Sequence, residues 1–176
     1  MGLGFVAHSF GRCIAFPMAE PRFVHLRLHT EFSVTDSVVR IDDVVARASK
    51  DGMGALAITD LSNMFGMTKF YKASRAVGVK PILGADVWIT NDIDRDKPSR
   101  MLLLCRSKAG YLNLSKLLSD AWISNRHRGR AELRREWIAE RADGLIALSG
   151  GANGDVGAAL AAGNDAMATK LAKSWA

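Results

Sequence analysis

The sequence is poor in cysteine and has no long apolar segment. Its two cysteines, Cys13 and Cys105, lie far apart in a chain of 176 residues, so they predict neither a disulfide framework nor a paired metal site. This usage favours a reducing, cytoplasmic setting. No apolar run approaches the roughly 18 residues that a membrane span requires. With 48% hydrophobic and 24% charged residues, the chain is typical of one globular domain with a hydrophobic core.

Acidic residues are outnumbered by basic ones. The formal net charge is +6 and the sequence pI is about 9.6. Such a balance is compatible with a nucleic acid or an acidic partner, and equally with a basic solvated surface. Charge alone therefore excludes neither class of function.

The first 17 residues lack the continuous apolar stretch of a secretory signal, because His8 and Arg12 interrupt it. A mitochondrial presequence is disfavoured by the single arginine of this segment. A second methionine, Met18, precedes the first predicted strand. We therefore expect residues 1–17 to be a disordered extension or an upstream mis-start, and residues 18–176 to form one domain. The helical pattern runs to Ala176 without a stop signal, which predicts a domain truncated at its C-terminal end.

Short apolar runs alternate with segments of helical periodicity. The predicted strands are 23–28, 55–59, 81–83, 101–105 and 145–148; the predicted helices are 41–48, 64–76, 111–122 and one or two over 156–175. A charged segment, 91–99, is predicted as a loop. The alternation indicates an α/β fold of βα units around a parallel sheet or barrel, although five strands are too few for an eight-stranded barrel.

Polar residues at predicted strand ends could carry chemistry, because such ends converge in parallel α/β folds. They are His29, Asp36, Asp60 and Asp86. Imidazole and carboxylates suit zinc or manganese, which can activate water for attack on a phosphate. Structural alternatives exist for each of the first three: a hydrogen-bonded histidine for His29, a turn for Asp36 and a helix N-cap for Asp60.

A second group of candidates is basic. It comprises Arg126, Arg128, Arg130, Arg134 and Arg135. These side chains could contact phosphates or an acidic partner. No aromatic residue is interleaved with the arginines from 126 to 135, which weakens the case for base stacking. A solvated, mobile loop is the favoured interpretation.

Four stretches in this order and spacing resemble a known family: 25–33 (HLRLHTEFS), 57–60 (AITD), 80–86 (KPILGAD) and 144–151 (GLIALSGG). They are similar to the polymerase and histidinol phosphatase (PHP) domain that opens the alpha subunit of bacterial DNA polymerase III. Segments 69–72 and 110–114 fit the same family. The resemblance implies a distorted seven-stranded (β/α) barrel, of which this chain would be a fragment. Active family members bind up to three metals and hydrolyse phosphoesters.

The family's metal ligands are only partly present. His29, Asp36 and Asp86 occupy ligand positions and could still bind metal. The ligand positions filled by residues that cannot bind metal are Arg27, Leu61, Arg100 and Gly151. Arginine has no lone pair to offer and stays charged. We therefore expect no catalytic residue, no metal and no cofactor, with Arg27 paired to Asp36 or Asp86 in place of a metal.

The resemblance implies a parent protein that performs DNA-templated DNA synthesis as a nucleotidyltransferase. The expected role of this domain is to brace the polymerase and help recruit a proofreading exonuclease subunit. Its partners would be other domains of the same subunit, that exonuclease, and DNA through the parent holoenzyme, with no membrane. The alternatives are a metal-dependent phosphoesterase of pyrophosphatase or 3′–5′ exonuclease type, using zinc or manganese at His29, Asp36 and Asp86, and direct DNA contact by the arginines from 126 to 135.

Overall fold

A computed structural model describes residues 23–175, so the expectations for residues 1–17 and Met18 lie outside the described part. Between residues 23 and 175 the chain forms six strands and six α-helices. The strands are β1 (Ala55–Ile58), β2 (Lys80–Ile89), β3 (Ser99–Cys105), β4 (Arg126–His127), β5 (Arg130–Leu133) and β6 (Leu145–Ser149). The helices are α1 (Ile41–Lys50), α2 (Met67–Ala76), α3 (Lys108–Ser124), α4 (Arg135–Glu140), α5 (Asp155–Ala161) and α6 (Asp165–Trp175). A short 3₁₀ helix, Gly151–Asn153, follows β6.

Helix α3 illustrates how local sequence sets the elements. The hydroxyl of Ser107 accepts a hydrogen bond from the Gly110 N–H, which satisfies a backbone donor at the helix start. The buried residues Leu114, Leu117, Leu118 and Ala121 recur at helical spacing and face the sheet. The helix is therefore capped and amphipathic.

The sheet is mixed and centred on β2. The first part of β2 pairs in parallel with β1, and its last two residues pair in parallel with β5. Strand β3 runs antiparallel to both β2 and β6. The expectation of an all-parallel sheet is wrong for β3, because a short loop joins β2 directly to β3 without a crossover helix.

Of the three apolar clusters along this sheet, the two larger ones include helices. The larger one packs α3 against β2, β3 and β5, with Leu103, Leu114 and Leu133 fully buried. The second packs α1 and α2 against β1 around the fully buried Ile41 and Phe70. These two clusters pack against β2 along most of its length and so position the polar side chains that β2 carries.

The segment predicted as the first strand, residues 23–28, is not a regular strand. It contributes the carbonyls of His25 and Leu28, which accept hydrogen bonds from the Ala57 and Thr59 N–H groups. The segment thus lies alongside β1 but does not form a ladder with it. Its position beside β1 nevertheless sets the location of Arg27 and His29.

The basic segment that follows α3 forms two strands, in place of the loop favoured from the sequence. Strands β4 and β5 form an antiparallel hairpin closed by Arg128 (φ 49°) and Gly129 (φ 80°). Positive φ at both central residues is what a two-residue type I′ turn requires. The hairpin joins the main sheet through the pairing of β5 with β2.

Candidate functional site

Asp86 lies at the centre of the candidate site. It sits in the middle of β2, not at a strand end as predicted, and its side chain is only 3% exposed. A buried carboxylate requires partners that compensate for the lost hydration. Two arginines and one histidine supply them here.

Arg27 and Arg100, the two arginines expected at family ligand positions, both bind Asp86. Arg27 Nε donates to Asp86 Oδ2 at 2.7 Å, and Arg27 Nη2 lies 2.7 Å from the same oxygen. Arg100 Nε donates to Oδ1 at 3.0 Å, and its Nη2 makes an ion-pair contact of 2.7 Å with Oδ2. The Arg100 guanidinium also stacks over the ring of Trp88, 4.3 Å from its centroid. Of the two carboxylates expected for Arg27, Asp86 is the partner.

His29 joins the two carboxylates of the site. Its Nδ1 lies 2.9 Å from Asp36 Oδ2, and its Nε2 lies 3.0 Å from Asp86 Oδ2. The hydrogen bond with Asp86 raises the pKa of His29, against the opposing effect of burial, and Asp36 raises it further. A doubly protonated ring donates to both carboxylates, and it then has no free nitrogen for a metal.

The electrostatics of Asp86 follow from these contacts. Burial alone would raise the pKa of Asp86, but the hydrogen bonds from His29 and Arg100 and the charge of Arg27 hold that pKa well below its usual range. Asp86 is therefore ionised at neutral pH. With His29 protonated, three positive charges face the negative charges of Asp86 and Asp36.

Asp60 does not cap a helix, which was one of its predicted roles. Helix α2 begins only at Met67, so Asp60 is too far from it to cap it. Its carboxylate instead accepts hydrogen bonds from the N–H and hydroxyl of Thr30 and from the hydroxyl of Ser33. Asp60 thereby anchors the loop that carries Asp36.

Leu61 and Gly151, the other two positions expected to have lost a ligand, also lie beside Asp86. Leu61 and Asp86 form an isolated parallel β-bridge. Gly151 lines a cavity of about 290 Å³ together with Arg27, Asp86 and Arg100. The structure thus brings all seven predicted site positions into one region, although neither Leu61 nor Gly151 offers a ligand side chain.

The five basic candidates lie on or beside the hairpin and largely face internal partners. Arg128 Nη2 lies 2.9 Å from Asp96, and Arg135 contacts Asp155. Arg130 Nε lies 3.5 Å from Glu132. Arg134 stacks over Trp137 at 5.6 Å, while Arg126 is exposed.

Sequence reasoning missed the fully buried Glu132. Arg95 Nη2 lies 3.3 Å from its Oε2 and also donates to the side-chain oxygen of Asn125. The signal was available, because Glu132 stands between apolar Ala131 and Leu133 in a short strand pattern. This network joins the loop between β2 and β3 to the hairpin.

Within residues 23–175, no group of three or more His, Cys, Asp or Glu side chains is arranged to hold a metal ion. None of the helices in the same range combines the length and apolar character that a bilayer span requires.

The family model for the PHP domain matches residues 25–176. The DNA polymerase III alpha subunit of Neisseria meningitidis serogroup A is 49% identical over 162 residues, covering 90% of this chain and 14% of that protein. The alpha subunit of Pseudomonas aeruginosa is 43% identical (87% of this chain, 13% of the relative), and that of Escherichia coli K12 is 42% identical (85% and 13%).

Among solved structures, a predicted metal-dependent phosphoesterase from Bifidobacterium adolescentis is 21% identical, with a TM-score of 0.43, covering 57% of this chain and 34% of that one. The chain spans about one seventh of the length of the polymerase subunits it matches. The match to the family model runs through all of the described site residues. The chain belongs to the PHP domain family.

Proposed function

We propose that this chain is a non-catalytic PHP domain of a bacterial replicative DNA polymerase alpha subunit. The observation that carries this proposal is the buried carboxylate of Asp86, which is bound by Arg27, Arg100 and His29. In this arrangement protein cations occupy the place where family members hold metal ions. DNA synthesis by the cytoplasmic parent protein would depend on regions outside this chain.

The residues present do not fit a metal cluster. A guanidinium offers no lone pair, and its fixed charge repels a divalent cation. Both ring nitrogens of His29 already face carboxylates. Charge-assisted hydrogen bonds from arginine instead satisfy Asp86 directly, which stabilises the former metal site without metal.

We also propose that this chain forms part of a distorted seven-stranded barrel. Two features of the described residues support it. Strand β6 is an edge strand of the sheet and pairs with β3 alone. Residues 23–28 lie beside β1, on the side of β1 that faces away from β2. The cavity beside Asp86 lies between these two edges, since Leu26 and Leu148 both line it.

The proposed partners are other domains of the same subunit and a proofreading exonuclease subunit, with DNA reached through the holoenzyme. The support for these partners is the similarity to polymerase alpha subunits along most of this chain. A bracing role also agrees with the ordered ion pairs at the site, because such pairs hold neighbouring segments in one arrangement. It requires no substrate at Asp86.

The test is metal analysis of the complete alpha subunit that contains this chain. Purified protein dialysed against zinc or manganese should carry no stoichiometric metal assignable to His29, and should not hydrolyse a generic phosphomonoester. His29→Ala is the matched variant. Stoichiometric metal or hydrolysis that disappears in His29→Ala would overturn the proposal.

A metal-dependent phosphoesterase is the second candidate. One observation favours it: His29 lies within hydrogen-bonding distance of both Asp36 and Asp86, the other two positions that could still bind metal. Binding of zinc or manganese there would require Arg27 to leave Asp86. The same metal analysis therefore distinguishes the two candidates.

A further inference from the structure

A groove with aromatic walls lies beside the hairpin formed by β4 and β5. A cavity of about 410 Å³ lies between the loop after β1, the hairpin and the end of α3. A second cavity, of about 440 Å³, adjoins the first, and Phe65 and Trp122 line both of them. We call the two together the aromatic groove.

The aromatic side chains of this groove come from separate elements. Phe65 lies in the loop before α2 and is 74% exposed, and Trp122 lies near the end of α3 and is 39% exposed. The indole Nε1 of Trp122 donates to the Ser62 carbonyl at 2.8 Å, which fixes the orientation of its ring. Two large planar groups are thus held at the surface without being covered by the described residues.

The charged residues that line the groove are both arginines. Arg128 is paired with Asp96 outside the lining, but its side chain is 68% exposed, and Arg130 lies 3.5 Å from the buried Glu132. The guanidinium of Arg130 lies over the ring of Trp88, 5.6 Å from its centroid. Among the described residues that line the two cavities, none is Asp or Glu.

We propose that the aromatic groove binds single-stranded DNA. Bases would stack on Phe65 and Trp122, and phosphates would contact Arg128 and Arg130. Aromatic platforms beside arginines bind single strands with little sequence preference, because every base has a π face. An apolar peptide could use the aliphatic side chains of the second cavity, but the arginines and the lack of carboxylates favour a polyanion.

DNA binding in the aromatic groove does not depend on the metal content of the Asp86 site. The sequence alone argued against stacking, since no aromatic residue is interleaved with the arginines. Folding brings Phe65, Trp88 and Trp122 to those arginines from three different segments. The combination therefore exists only in the tertiary structure.

The experiment is fluorescence anisotropy of a labelled oligothymidylate of about twelve nucleotides, a length within the usual site size of such grooves. The 176-residue chain should bind it, and Phe65→Ala should weaken binding about fivefold or more through the loss of one stacking platform. Phe65→Tyr should bind like the parent chain. Tyr71→Ala removes an aromatic side chain that is 48% exposed on α2, away from the groove, and should have no effect.

Salt provides the second measurement. Two phosphate contacts on a single strand predict a log–log salt slope of about −1.4, so affinity should fall about sevenfold from about 50 to about 200 mM salt. Arg128→Asn removes the charge while keeping a residue suited to positive φ, and should make the slope shallower by about 0.7. Arg47→Ala, on α1, is the matched arginine control.

Three outcomes would overturn the proposal. They are no binding of the oligothymidylate at low salt, binding unchanged in both Phe65→Ala and Arg128→Asn, and binding that does not respond to salt. The first of these would leave the groove as a candidate surface for an apolar peptide. Circular dichroism of each variant establishes that a loss of binding is not a loss of fold.

Discussion

Asp86 and Arg100 are diagonal neighbours on one face of the β2–β3 pair. Asp86 stands opposite Leu102 and Arg100 opposite Trp88, so their side chains project from the same face two residues apart along the ladder. Arg100 Nε then reaches Asp86 Oδ1 at 3.0 Å. Sheet register thus gives the buried carboxylate a cation that is itself only 10% exposed.

Replacing Arg100 with methionine should destabilise the domain strongly. The substitution leaves Asp86 buried with one partner fewer, and breaking a buried ion pair typically costs about 3–5 kcal/mol. Arg27 and His29 remain, so we expect about 3 kcal/mol in urea unfolding. The exposed pair of Arg47 with Asp51 is the control, and Arg47→Ala should destabilise the domain far less, because solvent screens an exposed ion pair. A loss for Arg100→Met no larger than the control would contradict the structural role of this pair.

The stability of the domain should depend on the protonation of His29. Because its pKa is raised above 6.5 in the folded protein, its stabilising contribution is fully present below 6.5 and is lost as pH rises through the folded value. The free energy of unfolding should therefore decline with pH above 6.5. Urea titrations at a series of pH values should show this decline in the parent chain and a weaker one in His29→Gln. Equal pH dependence in both proteins would exclude His29 as its source.

Histidines placed at the three expected ligand positions should give the domain a metal site. We expect the triple variant Arg27→His, Leu61→His, Arg100→His to bind zinc or manganese, since imidazole replaces two repelling charges and one apolar side chain around Asp86. Without metal the variant should be less stable than the parent chain, because Asp86 loses its guanidinium partners. Calorimetric titration and thermal shift with each metal measure both effects. Equal metal binding by the parent chain would contradict the expectation.

Asp60 should matter for stability in spite of lying outside the cationic cluster. Asp60→Ala removes the acceptor for the Thr30 backbone, the Thr30 hydroxyl and the Ser33 hydroxyl, all of which are buried. An unsatisfied buried donor costs about 1–3 kcal/mol, so we expect a loss at the upper end of that range. Hydrogen exchange should also quicken in the loop that carries Asp36. Asp43→Ala, at an exposed position of α1, is the control and should change neither quantity.

Much of the fold could be read from local sequence. Helices α1 and α3 and strands β1, β3 and β6 were predicted with ends wrong by only a few residues, because their apolar periodicity and boundary residues are strong local signals. The hairpin of β4 and β5 was missed, since two short strands rich in arginine carry little apolar pattern. The apolar pattern predicts a strand over 23–28, but such a pattern does not reveal whether a ladder forms, and here none does.

The sequence by itself determined which side chains at the expected ligand positions could bind a metal, because residue identity alone decides whether a side chain offers a lone pair. It left open whether Arg27 would meet Asp36 or Asp86, and it placed Asp60 at the start of a helix. Only the tertiary structure decided these contacts and brought Phe65 and Trp122 to the arginines of the hairpin. The physical reason is that sheet register and long-range packing, which unite segments far apart in the chain, fix those distances.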